Sequence, residues 1–431
     1  MRKKTSFQIG DLHTFKHQLL NWSLKYNELS WLDSNEHVSR YHSFDAVLAV
    51  DALTTIKTDF QDAFENLKEY QSSTKDWLFG YLSYDLKNDI ESLRSNNVDG
   101  LEFPDLFFFQ PKKVILIRGK QVDFHYLNIV AEEIVRDFEE ITSLNIHEER
   151  KTEHHPVKIK LRIFKDAYFR QVQRMLEHIH RGDIYEANFC QEFYAENTSI
   201  DALRIYKRLN EISRPPFAAF LKINEKYLLS ASPERYLKKQ GTKVISQPIK
   251  GTARRSSNSS EDMELKRALQ KDEKERAENI MIVDLVRNDL SKSALKGSVK
   301  VEELCEVYSF KQVHQMISTV STEVADSRNP IEIIRDTFPM GSMTGAPKVS
   351  AMKIIEELEA TKRGLYSGAV GYFTPDDDFD FNVVIRSILY NEAKKFVSYS
   401  VGSAITAQAS AEKEYEECLL KARAMREVLE T

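Results

Sequence analysis

Cysteine is scarce: 431 residues carry three, Cys190, Cys305 and Cys418, with no CxxC spacing. That excludes a disulfide framework or a zinc knuckle and points to reduced thiols in a cytoplasm. No apolar run approaches the length of a membrane span. The start, Met1-Arg2-Lys3-Lys4, is basic, but polar residues interrupt the stretch to Trp22, so no signal-peptide core is read there. A cytoplasmic protein without a membrane partner is expected. Basic excess is missing too: the formal charge is -5, which argues against a nucleic-acid partner. There is no internal repeat and no low-complexity tract.

What is present is a chain 42% hydrophobic and 29% charged, enough for a large core. Strand-like runs occur at Phe44–Val50, Trp77–Tyr84, Phe103–Phe109, Val114–Ile117 and Val122–Tyr126, with helical spacing at 60–70 and 131–141. The polar stretch 145–160 reads as a linker, giving an amino-terminal part, 1–150, and a second part, 156–431. Beyond it come a helix at 166–181 with Asp166 as its cap, strands at 184–195, 217–223 and 226–231, and an Arg/Ser-rich loop at 253–260. A long helix follows, opened by a Ser259/Asp262 capping box, and the last helix spans 411–429. Many strands and scattered helices without regular βαβ alternation predict an α+β fold.

Six stretches carry candidate chemistry. In Pro248-Ile249-Lys250-Gly251-Thr252 a strand ends at proline, and glycine permits a turn beside a lysine. A lysine in partly apolar surroundings becomes a nucleophile or base. Glu234, in Ser232-Pro233-Glu234-Arg235, precedes that strand and is a candidate general acid. Glu278 sits where a charged helix turns apolar, and Glu414 and Glu417 lie one helical turn apart, a spacing that aims two carboxylates at one hard cation. Gly341-Ser342-Met343-Thr344-Gly345 offers backbone N–H groups to an anion, although its spacing to Lys348 is not the Walker pattern. Arg386 interrupts an apolar strand and needs a carboxylate partner. Each also fits an ordinary role: a turn lysine, an ion pair of Glu234 with Arg235 or of Glu278 with Arg276 or Arg287, a solvated acidic face, a helix-entry turn, an internal Arg386 pair.

Together these stretches resemble the chorismate-utilising enzymes: anthranilate, aminodeoxychorismate, isochorismate and salicylate synthases. The resemblance is dense from Gly182 to Arg423. It is carried by SPER at 232–235, PIKGT at 248–252, ERAENIMIVDLVRNDL at 275–290, GSMTGAPK at 341–348, SGAVGYF at 367–373, VVIRS at 383–387 and EYEECLLKARA at 414–424. It implies two large β-sheets packed as a sandwich with helices outside. Anthranilate synthases carry alanine where this chain has Lys250. The lysine resembles the aminodeoxychorismate synthase component I branch, which serves p-aminobenzoate and folate synthesis; anthranilate synthase component I is the alternative.

The resemblance further implies that Lys250 attacks C2 of chorismate while Glu234 protonates the departing C4 hydroxyl, and that ammonia then displaces the lysine. It implies Mg²⁺ at Glu278 and Glu417 with Glu414 nearby. Substrate contacts are implied for Tyr372, Arg386, Gly402, Ser403, Ser342, Thr344, Gly251, Thr252 and Lys421. Cys190 lies in a strand-like run rather than a nucleophile elbow, so a separate glutamine amidotransferase subunit is implied as the ammonia source. Ser34, Phe44, Pro216 and Phe217 resemble residues around a tryptophan pocket, with plain core packing as the alternative. Three departures bear on substrate geometry: Gln315 where relatives carry histidine, Glu186 where they carry glutamine or lysine, and Ala404 in place of glycine.

Overall fold

The computed structural model describes residues 1–37, 40–145, 156–311 and 313–431. The linker stretch therefore lies mostly outside the described residues. Twenty strands join in one antiparallel sheet. The expected pair of separate sheets is corrected: two arms exist, but three connections make them continuous.

One connection is the 13-residue strand Leu106–Arg118, which pairs along its length with Ala46–Thr58. On its other edge, Leu106–Phe109 pairs with Leu78–Leu82, and Lys113–Arg118 pairs with Gln121–Leu127. The other two are crossovers. Strand Lys226–Ser232 passes through Pro233 and Glu234 into Arg235–Gln240, and Phe379–Val383 passes through Val384, Ile385 and Arg386 into Ser387–Asn391. Proline cannot donate to a ladder, so regular pairing lapses at the first crossover. At the second, Arg386 adopts φ +52°, a left-handed conformation uncommon for any residue but glycine. Arg386 thus lies in a break between strands, not inside one. The crossovers are tied together: Val383 N–H donates to Glu234 O at 3.1 Å, Ala231 N–H to Arg386 O at 3.1 Å, and Ser232 Oγ to Val383 O at 2.6 Å.

Alternation gives the sheet two buried faces. Ala46, Leu48 and Val50 face one core with Trp31, Ile115, Tyr168, Phe189 and Leu429. Val47 and Ala49 face the other, where Leu221 of one arm meets Leu237, Val244 and Phe381 of the second. The amino-terminal part is not separately layered. Its strand Glu28–Asp33 pairs with Phe217–Ile223, and Leu78–Leu82 with Ala369–Phe373. Gly80 allows the close approach of its other neighbour, Leu106–Arg118, because a Cβ there would lie 2.0 Å from Phe107 O.

Helix starts differ from expectation in detail. Asn258, not Ser259, caps the helix Ser259–Lys271, and its side chain accepts from Ser260 and Glu261 N–H. Asp272 then breaks the expected long helix and caps Glu273–Ser291 by accepting from Glu275 N–H. Asp166 falls in the first turn of Lys165–Arg181, which Gly182 ends at φ +85°. The stretch expected to be a loop begins as strand, Ile249–Arg254.

Candidate active site

Strand Lys243–Gln247 ends at Pro248, and Ile249–Arg254 resumes against Val313–Glu323. The register slips between Ile249 and Thr252, a bulge centred on Lys250 and Gly251. Gly251 takes φ +94°, and a Cβ there would press on Met316 Cβ at 3.1 Å and Glu275 Oε2 at 3.2 Å. The bulge re-aims Lys250, and Asn279 Nδ2 donates to Lys250 O at 3.3 Å. Lys250 Nζ lies 3.3 Å from Glu186 Oε1. Burial works against its charge, but Glu186, Glu278 and Glu417 together hold its proton more tightly than in water.

Glu234, at the first crossover, is 4% exposed. Ser342 Oγ donates to its Oε1 at 2.6 Å. Burial pushes its carboxyl up to about 7, against the opposing pull of Ser342 and Lys250. An acid poised near neutrality suits proton donation to a leaving group. The expected surface pair with Arg235 does not form: Arg235 pairs with Asp380 at 2.9 Å.

The acids come from two helices. Glu278 is on Glu273–Ser291; Glu414 and Glu417 are on Ala411–Glu430. Lys274 lies 3.7 Å from Glu278 and 4.0 Å from Glu414, while Lys421 lies 2.5 Å from Glu417 and donates to Gly402 O at 2.9 Å. Arg276 and Arg287 bond elsewhere, to Gln270 O and Asp284. Burial, then Glu278 and Glu417, pushes Glu275 up to about 7. Burial raises Glu278 and Glu414 too. This surplus of negative charge fits a hard divalent cation. Among the described residues no three acidic, His or Cys groups form a complete metal cage. Mg²⁺ asks for less: one or two carboxylates, waters and an anionic substrate suffice.

The Arg386 guanidinium has no ion-pair or hydrogen-bond partner among the described residues, which removes the internal-pair alternative. Burial depresses its pKa, while Tyr366 and Glu417 oppose that. Tyr366, which sequence reasoning missed, hydrogen-bonds Cys190 Sγ at 3.6 Å. The ladder Ala369–Phe373/Phe379–Val383 continues as Ser367 N–H to Val384 O and Val384 N–H to Gly368 O, which carries Tyr366 toward Arg386. Gly402 packs so closely that a Cβ would sit 2.5 Å from Cys190 Sγ.

Among the other expected contact residues, Ser403 adjoins the Glu414 carboxylate. The Tyr372 ring lies among Phe44, Trp77 and Phe79 at 5.4, 5.6 and 5.6 Å, on the cavity side of its strand. Thr344 spends its hydroxyl on Met340 O and Gly341 O. Ser403 is buried, with Oγ 3.3 Å from Tyr168 OH. Thr252 is exposed, opposite Gln315. Gln315 is buried with Oε1 unpartnered. Neighbouring His314 faces Ser309 and Asp262.

Ser34, Phe44, Pro216 and Phe217 all line one cavity of about 370 Å³, together with Tyr372. Phe44 also packs against the neighbouring core, so the cavity and core packing meet at this set. Pro233 and Ile249 line it too, each one residue before Glu234 and Lys250.

Comparison with known proteins gives the class. Residues 27–427 match the chorismate binding enzyme family, and the chain belongs to it. Its relatives divide between two activities. The chain is 36% identical over 379 residues to aminodeoxychorismate synthase of Arabidopsis thaliana, covering 83% of this chain but only 41% of that protein. It is 34% identical over 363 residues to anthranilate synthase component 1 of Thermus thermophilus, covering 81% and 77%. The crystal structure of anthranilate synthase component I from Streptococcus pneumoniae superposes with TM-score 0.78 at 24% identity over 91% of this chain and 94% of that one, a likeness of fold. No helix among the described residues is long and apolar enough to cross a membrane.

Proposed function

We propose that this chain aminates chorismate at C4 to give 4-amino-4-deoxychorismate, as the aminodeoxychorismate synthase branch does. One observation carries the reading: Lys250 Nζ stands 3.3 Å from Glu186 in an acidic cleft. A turn lysine would instead point to water.

Lys250, once neutral, forms a bond to ring carbon C2. The ring double bonds shift and the C4–O bond breaks. Glu234, held by Ser342, gives its proton to the departing oxygen. Ammonia then adds at C4, the C2–N bond breaks, and the electron pair returns to Lys250. Arg386, its guanidinium free of other partners among the described residues, takes the enolpyruvyl carboxylate, with Tyr366 beside it. Glu278 and Glu417, with Glu414 nearby, would hold Mg²⁺. That cation, when bound, neutralises the ring carboxylate. Ammonia comes from a glutaminase partner; the Thermus relative is named as component 1 of its synthase.

The competing reading is anthranilate formation, favoured by the Thermus relative and by the charge that the three glutamates maintain on Lys250. Chorismate with ammonium and Mg²⁺ separates the two. Aminodeoxychorismate without pyruvate supports the proposal; anthranilate with pyruvate overturns it.

A further inference from the structure

Lys250 meets its acidic neighbours from four elements. Glu186 comes from strand Glu186–Ala195, Glu278 from helix Glu273–Ser291, Glu417 from helix Ala411–Glu430, and Glu234 from the crossover. Three of these have another partner: Glu278 has Lys274, Glu417 has Lys421, and Glu234 has Ser342. Glu186 does not. It is 2% exposed, its Oε1 faces Lys250 Nζ at 3.3 Å, and its Oε2 is buried with no hydrogen-bond partner. A carboxylate kept only as a structural pair satisfies both oxygens, because an unmet buried acceptor costs stability. The strand bearing Glu186 is paired on both edges, to Ala346 and to Thr406, so the group is held in place before substrate arrives.

We infer that Glu186 is the catalytic base that takes the proton from Lys250 and so frees the amine to attack. The inference rests on the covalent role proposed for Lys250. The proton passes from Nζ to a Glu186 oxygen, leaving a neutral amine and a carboxylic acid. The freed lone pair bonds to C2, the C4–O bond breaks, and the oxygen leaves as water with the Glu234 proton. When ammonia displaces the lysine, the amine recovers its lone pair and takes its proton back from Glu186. The proton shed as ammonium becomes ammonia restores Glu234. The excess proton affinity of Lys250 in the empty cleft is consistent with this need, since the amine cannot attack until a neighbour accepts that proton.

The test uses the whole chain with chorismate and Mg²⁺ and no ammonium. The mass increment on Lys250 is followed in quenched samples from neutral to alkaline pH. Glu186→Gln is expected to slow adduct formation about 10²-fold at neutral pH, with recovery as pH rises and hydroxide replaces the base. Glu186→Asp, which keeps a carboxylate, is expected to restore much of the rate. Adduct formation in Glu186→Gln as fast as in wild type, or faster, overturns the inference, because a carboxylate that merely held the ammonium would free the amine when removed. If wild type forms no adduct yet aminates, the covalent reading of Lys250 fails, and this inference with it.

Discussion

Ser342 and Glu234 meet across 2.6 Å, the hydroxyl donating to a carboxyl that burial has pushed up to about 7. The serine favours the ionised form and the burial disfavours it. An acid catalyst must be protonated, so activity is expected to fall as pH rises through about 7. Ser342→Ala removes a lowering influence. The alkaline limb of its kcat/KM profile should move to higher pH, and a limb unmoved in the variant would detach Ser342 from the acid.

The same group has a stability signature. Its folded pKa lies above the ordinary 4.5, so the folded state holds a proton that the unfolded state has lost between about 4.5 and about 7. Stability therefore declines as pH rises through that window. Glu234→Gln keeps the Ser342 contact without the charge. It should be inactive, yet more stable than wild type at pH 8, by on the order of 2–3 kcal/mol in denaturant titration.

The Arg386 guanidinium has no partner among the described residues and burial works against its charge, which disfavours the free protein and prepares it for an anion. Arg386→Met is expected to raise the melting temperature of the free chain while weakening chorismate binding roughly ten- to a hundred-fold, the worth of a charged hydrogen bond. Calorimetry on both forms measures the two effects separately.

The crowded acids around Lys274 make a prediction that needs no turnover. Mg²⁺ should raise the thermal stability of the wild-type chain as the free ion exceeds its Kd, by about 2–3 kcal/mol at a hundred-fold excess. Glu278→Gln should lose both that increment and Mg²⁺-dependent activity. An equal Mg²⁺ response in the variant would move the metal away from Glu278.

Gly402 is a packing constraint. A Cβ there meets Cys190 Sγ at 2.5 Å and Phe189 O at 2.9 Å. Gly402→Ala should cost about 1–3 kcal/mol. Adding Cys190→Ala should recover part of the loss but not all, since the carbonyl remains.

What the sequence could say depended on range. Local order was legible: the Lys250 bulge follows from proline and glycine in PIKGT, and the strands at 217–223 and 226–232 from their composition. The long-range joins were not. Nothing local shows that Leu106–Arg118 would bridge two arms, so two sheets were expected where one runs through. SGAVGYF marks a strand but not which of its faces carries Tyr372 toward the aromatic cluster. Tyr366 was missed because its approach to Arg386 depends on hydrogen bonds beyond the strand ends.

The most direct test of the account is Lys250→Ala supplied with chorismate, ammonium and Mg²⁺, its products separated by mass. The account predicts a folded protein with most aminodeoxychorismate formation gone. Amination at the wild-type rate would contradict it.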